Sequence, residues 1–172
     1  MKDEIYSLGG ATDDLILSKC EKYSIALNKW TSLPNLHTGR CDCAAFSFND
    51  AQIFCVGGCN KNLLNSMEKL NLLKPSKWSY VKIKNVFSER IAIHAFQISN
   101  NEVIVFGGES NECFLLKIDD GIVCKKIVNL ATSCECEFVC TASPVCYGKH
   151  IYGIDNKNNK IAGTKAATII NL

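Results

Sequence analysis

Ile53-Phe54-Cys55-Val56-Gly57-Gly58 is a short apolar run that stops on two glycines. Buried strands end this way, because two residues able to take positive φ let the backbone turn sharply where the side chains run out. The same construction stands upstream as Ile5-Tyr6-Ser7-Leu8-Gly9-Gly10 and downstream as Val103-Ile104-Val105-Phe106-Gly107-Gly108, with the glycine pairs 48 and 50 residues apart. One further interval reaches Ile151-Tyr152-Gly153-Ile154-Asp155-Asn156, which keeps the apolar run and has lost the double glycine. Self-similarity at such a period marks a repeat architecture with a degenerate fourth copy.

Working outward, Trp30 follows Gly10 and Trp78 follows Gly58 by the same twenty residues, with a second strand-like stretch between them at 18–25 and 66–72. Arg40 and Arg90 each stand seventeen residues ahead of the next glycine pair. Behind them run Cys41 to Phe48 and Ile91 to Ile98, in which Ala45 matches Ala95 and Phe46 matches Phe96. Each repeat therefore carries four short strands, with the tryptophan expected to end the fourth. Four antiparallel strands recurring every ~50 residues, with no helix-period segment competing, are the sequence form of a β-propeller blade. The expected fold is all-β, one propeller segment over 1–172, divided into repeat 1 (1–39), repeat 2 (40–89), repeat 3 (90–137) and a degenerate repeat 4 (138–172).

This pattern resembles the kelch repeat: an arginine, a small-residue strand, an apolar strand ending in Gly-Gly, a strand with an aromatic, and a tryptophan. The resemblance runs along nearly the whole chain and is fullest from Arg40 to Trp78. It departs from the pattern at Val128, where a tryptophan is expected, and at Phe138, where an arginine is. It implies a kelch-like propeller, in an incomplete or small ring, since such rings usually hold six or seven blades and this chain codes for about three and a half. Bare sheet edges are aggregation templates, so closure has to come from somewhere. The tail, Ala166 to Leu172, repeats the pattern of Ala44 to Asp50 and could clasp Ile5 to Leu8. Alternatively, further blades come from another segment, a second copy in a homo-oligomer, or another chain.

Composition sets the outer bounds. Of 172 residues, 47% are apolar and 21% charged, enough for a well-packed domain. Nineteen basic against seventeen acidic residues leave a net charge of +2, so no global field draws the chain to nucleic acid. The apolar runs fall short of the ~20 residues of a membrane-spanning helix, and Met1-Lys2-Asp3-Glu4 is too polar for a secretory signal. The expectation is a cytoplasmic protein, with the cytoskeleton among its settings, and with neither a nucleic-acid nor a membrane partner.

Eleven cysteines are then expected to be reduced. Cys41-x-Cys43 and Cys134-x-Cys136, with His37 and Cys140 nearby, invite a metal reading. Residues two apart on a strand are poorly placed around one tetrahedral ion, however, and Cys41, Cys43 and Cys55 occupy the repeat positions of Ile91, Ile93 and Val105. They read as small hydrophobes, and no metal is expected, with Cys134, Cys136 and Cys140 left open.

No enzyme signature emerges, and no cofactor is expected. Nucleophilic catalysis needs a base beside a serine or cysteine, and His37, His94 and His150 each have a structural explanation. The glycine pairs are followed by neither a helix start nor Gly-Lys-Ser/Thr, so they do not cradle phosphate. The loops after them, Ala11 to Asp14, Cys59 to Asn62 and Glu109 to Glu112, differ in length and charge while the strands around them keep their pattern. That is how a rigid scaffold presents a binding surface, and the resemblance implies that such loops, with those entering the first strand, face a partner. The candidate partner-binding residues are Asp13, Asp14, Arg40, Asp42, Asn60, Lys61, Asn62, Arg90, Glu109 and Asn111. Arg40 and Arg90 carry two readings: a guanidinium forked onto backbone inside the blade, or one that meets acidic groups of a bound protein at the channel mouth. The expected function is non-enzymatic, a scaffold or adaptor that binds protein partners. The alternatives are an architectural subunit of a large assembly and a propeller-based enzyme or carbohydrate binder.

Overall fold

The computed structural model describes residues 3–85, 93–107, 112–119, 122–129, 145–147, 150–152 and 169–171. The strands in chain order are β1 (Glu4–Leu8), β2 (Cys20–Ser24), β3 (Lys29–Leu33), β4 (Ala44–Phe48), β5 (Gln52–Val56), β6 (Cys59–Asn60), β7 (Asn62–Leu63), β8 (Met67–Asn71), β9 (Ser79–Val81), β10 (Ile83–Lys84), β11 (Ile93–Gln97), β12 (Glu102–Gly107), β13 (Glu112–Ile118), β14 (Ile122–Asn129), β15 (Val145–Tyr147), β16 (His150–Tyr152) and β17 (Ile169–Asn171). The described residues are all-β, in separate sheets rather than a closed barrel. The first blade is β1-β2-β3, the second β4-β5-β8-β9, the third β11-β12-β13-β14 with β10 added outside β14, and a last sheet is β15-β16-β17.

The blades follow from local chemistry. β4 alternates buried Ala44, Phe46 and Phe48 with exposed Ala45 and Ser47, whereas β5, an inner strand of its sheet, is buried on both faces from Ile53 to Val56. Between them Asn49 and Asp50 both take positive φ, 51° and 50°, and Ala51 N donates to Phe48 O at 3.2 Å. That is the tight turn whose twist matches the strands. At the other end of β5, Gly58 has φ +87°, and a Cβ there would lie 2.4 Å from the Cys41 carbonyl oxygen. Gly9 of the first blade is equally tight, 2.3 Å from the Arg40 carbonyl oxygen. The glycine pairs thus let the linker entering the second blade lie against both loops at once.

Opposite faces of each sheet pack on different neighbours. Ile53 and Cys55 face the first blade with Leu70 and Trp78, against Cys20, Leu33 and Leu36. Phe54 and Val56 face the third blade with Phe46 and Met67, against Ile93, Val103 and Val105. Ile104 and Phe106 turn to the far side of the third blade. β4 and β11, the first strands of adjacent blades, run alongside each other. Faces that point one way in successive sheets, with first strands side by side, give the stacking of an incomplete propeller.

Three expectations are corrected. The tryptophan does not end the fourth strand: Trp30 is the second residue of β3, and Trp78 directly precedes β9. Among the described residues the tail does not clasp β1: β17 belongs to the β15-β16-β17 sheet, antiparallel to β16 with Ile151 opposite Ile170, and β1 has β2 as its sheet neighbour. The third sheet has an added strand, since Ile83 and Lys84 run parallel to β14, opposite Ile122 and Val123.

Candidate partner-binding face

The loops after the glycine pairs of the first two blades meet at one end of the molecule. In the first, Ala11 bridges Ile16, Thr12 N donates to Leu15 O at 2.8 Å, and Asp13 and Asp14 stand exposed at the tip. In the second, β6 and β7 form a small ribbon turned by Lys61 at φ 53°, with Asn60 half-buried and Lys61 and Asn62 exposed. The linker into the second blade runs between them. Gly10 N donates to Arg40 O at 2.8 Å and Arg40 N to Leu17 O at 3.0 Å, while Cys41 and Cys59 exchange both backbone hydrogen bonds, at 3.1 and 2.9 Å. Asp42, exposed at φ 50°, belongs to the same face. Six of the ten sequence candidates therefore lie on these two loops and the linker between them: Asp13, Asp14, Asp42, Asn60, Lys61 and Asn62. Arg90, Glu109 and Asn111 lie outside the described residues, as do Cys134, Cys136 and Cys140.

Arg40 is corrected. Its side chain is fully buried and its donors are consumed inside the blade, so it cannot present itself to a partner. Nη1 donates to the carbonyls of Gly57 (2.9 Å) and Ser66 (3.0 Å), and Nη2 donates to Ser66 Oγ (3.2 Å) and Glu68 Oε1 (2.8 Å). Glu68, also 0% exposed, accepts in addition from His37 N at 2.7 Å and Thr38 N at 3.1 Å. Of the two readings of Arg40, the buried fork is the one realised. It ties the linker to the Gly57 carbonyl and to the Ser66 carbonyl, which also accepts from Gly57 N at 3.0 Å. His37 belongs to the same framework, with Nε2 2.7 Å from the Trp78 carbonyl and its ring stacked on Tyr80 at 5.3 Å. Glu68 was missed because an acid within a strand reads as a solvent-facing residue, and only its distance to Arg40 reveals the pair.

The cysteines are not uniformly core hydrophobes either. Cys20 and Cys55 are buried, but Cys41 and Cys59 are half-buried beside the tip, with their Sγ atoms 3.2 Å apart. Sγ of Cys41, Sγ of Cys59 and a carboxylate oxygen of Asp42 all lie within 4.8 Å of one another. Burial, Cys59 and Asp42 push the Cys41 thiol up to about 12. A second pair, Cys43 and Cys55, has sulfurs 3.4 Å apart. There the hydrogen bond from Cys55 pulls the Cys43 thiol down and drives Cys55 far up. The partnership of Cys41 with Cys59 was not legible from Cys41-x-Cys43.

With this geometry in view, comparison with known proteins bears on the repeats. The chain is similar to kelch-repeat proteins. It is 30% identical over 107 residues to an F-box/kelch-repeat protein of Arabidopsis thaliana, covering 59% of this chain and 27% of that protein. A second F-box/kelch-repeat protein of the same plant is 31% identical over 83 residues, 48% of this chain and 22% of its own length. No protein-family model matches the chain. The similarity supports kelch-type repeats over about half the chain, and the chain spans about a quarter of the length of these relatives.

Proposed function

We propose that the chain is a non-catalytic protein-binding module that engages its partner through the two loop tips and the linker between them. The observation that carries this reading is that Asp13, Asp14, Asp42 and Lys61 stand exposed on one face while the backbone beneath them is pinned by the buried Arg40–Glu68 pair. Variable polar tips on a rigid base are what a recognition surface requires. The similarity to kelch-repeat proteins fits an interaction role in general. With Arg40 interior, the acidic partner motif expected from the sequence has no guanidinium to meet here. Three acids and one lysine on the described tips favour a basic partner surface instead.

The test is capture from native extract with quantitative mass spectrometry, comparing the wild type with Asp13→Lys/Asp14→Lys and with Asp50→Lys at the opposite end of the second blade. A partner lost roughly tenfold by the tip variant and retained by Asp50→Lys supports the reading. A partner set unchanged by the tip variant, in a protein that still unfolds cooperatively, overturns it.

A further inference from the structure

The geometry points to Cys41 and Cys59 as a reversible dithiol–disulfide site, closed by a low-molecular-weight disulfide such as oxidised glutathione, that fastens the β6–β7 tip to the linker entering the second blade. The two residues are directly opposite each other in an antiparallel bridge and exchange both backbone hydrogen bonds. Because they exchange both hydrogen bonds they are the wider kind of opposed pair, at the upper end of the about 4.5–5.5 Å between opposed Cβ atoms, so reaching the ~3.5–4.5 Å that a disulfide spans takes an approach of about 1 Å. The thiols already touch at 3.2 Å and both residues are partly open to solvent.

The neighbouring pair is a natural control. Cys43 and Cys55 have sulfurs only slightly farther apart, at 3.4 Å. Cys55, however, lies opposite Ala45, so Cys43 is its diagonal neighbour, and diagonal Cα atoms sit about 7–8 Å apart. Cys55 is also 0% exposed, out of reach of a solution oxidant. A zinc site at Cys41, Asp42 and Cys59 is the weaker fit. Two thiolates around a tetrahedral zinc at ~2.3 Å stand about 3.8 Å apart, wider than the pair found, and among the described residues three protein donors converge, one short of a closed tetrahedral site.

The chemistry balances as a thiol–disulfide exchange. The Cys59 thiolate attacks one sulfur of the oxidised glutathione, forming a mixed disulfide and expelling one glutathione thiolate. Cys41 is the resolving thiol, because burial and its neighbours hold it protonated. Once Cys59 is capped, its opposition to Cys41 ionisation is gone. The Cys41 thiolate then attacks the Cys59 sulfur and expels the second glutathione. Two protein thiols are oxidised, one glutathione disulfide is reduced to two thiols, and the two protons pass to the departing glutathiones. The effect on partner binding rests on the proposed function. The bond itself does not.

The full chain is incubated with oxidised glutathione and EDTA, the remaining thiols are alkylated, and linked peptides are sequenced by mass spectrometry. Cys43→Ala/Cys55→Ala is expected to form the 41–59 link as fully as the wild type, and dithiothreitol to reverse it. Cys41→Ser is expected to accumulate glutathione on Cys59, and Cys59→Ser to form no intramolecular link involving Cys41. A native protein that links 43 to 55 instead, or forms no 41–59 link under oxidant that couples the same thiols after denaturation, overturns the assignment. Without EDTA, stoichiometric zinc that shields both thiols from alkylation also overturns it. Failure of the linked protein to change partner capture would bear on the binding face and leave the disulfide site standing.

Discussion

Trp30 and Trp78 occupy equivalent repeat positions and meet opposite fates. Trp78 is 0% exposed, and its indole N–H donates to the Pro34 carbonyl of the preceding linker at 2.8 Å. Trp30 is 49% exposed, tilted against Tyr23 at 5.2 Å, with Ile5 opposite Tyr23 on the same outward face. The acids repeat the contrast. Glu68 sits in a closed cage of Arg40 and two backbone donors, while Glu21, in the same strand position one blade earlier, pairs with Lys19 at 2.9 Å near the surface. A blade's signature residues are thus completed by the blade and linker before it. Among the described residues nothing performs that service for the first blade. Stability in such an array is a nearest-neighbour quantity, and identical motifs need not carry equal energy.

Arg40→Ala is expected to have the largest effect, because it strands Glu68 in the interior. It is expected to cost about 3–5 kcal/mol of unfolding free energy by urea denaturation, against about 0.5 kcal/mol or less for Glu21→Ala. Equal losses would mean that the first blade is buried by something outside these residues. Next in size is Trp78→Phe, which removes the indole donor and leaves the Pro34 carbonyl unpaired. We expect about 1–3 kcal/mol, with Trp30→Phe within about 0.5 kcal/mol. Fluorescence sharpens the same point without energies. Acrylamide should quench the emission of the Trp78→Phe protein, which retains Trp30, far more readily than that of Trp30→Phe. A shielded Trp30 would show that the outer face of the first blade is covered in solution.

The smallest effect lies in the first blade itself. Lys22 at 2.5 Å and the Tyr6 hydroxyl at 2.6 Å hold the Glu4 carboxyl below the usual carboxylate range. A depressed folded pKa means that this stabilisation is fully present above the unfolded value and disappears as pH falls through the folded one. Glu4→Gln should therefore flatten the acid limb of the stability–pH curve by less than about 1 kcal/mol and leave stability above that limb only slightly lower.

The architecture was legible where the signal is periodic. The glycine pairs located the ends of β1, β5 and β12, and the match of Ala45 and Phe46 to Ala95 and Phe96 placed β4 and β11 in phase. Interactions that depend on three-dimensional proximity were not legible. Residue spacing cannot say whether a recurring arginine turns inward or outward, and Arg40 turns inward onto the Gly57 and Ser66 carbonyls and the buried Glu68 carboxylate. Glu68 and Cys59 sit 28 and 18 residues from their partners, separations without a period of their own. β10 was missed because two residues are too short for any pattern.

That short strand shapes how the molecule must assemble. Ile83 and Lys84 leave the second blade, yet find their hydrogen-bond partners at Ile122 and Val123. During synthesis this stretch waits for about 40 more residues to emerge before it can dock, so the second blade's exit is not secured until the third is nearly complete. A ribosome paused within that interval would hold a chain whose second blade is formed but not yet latched.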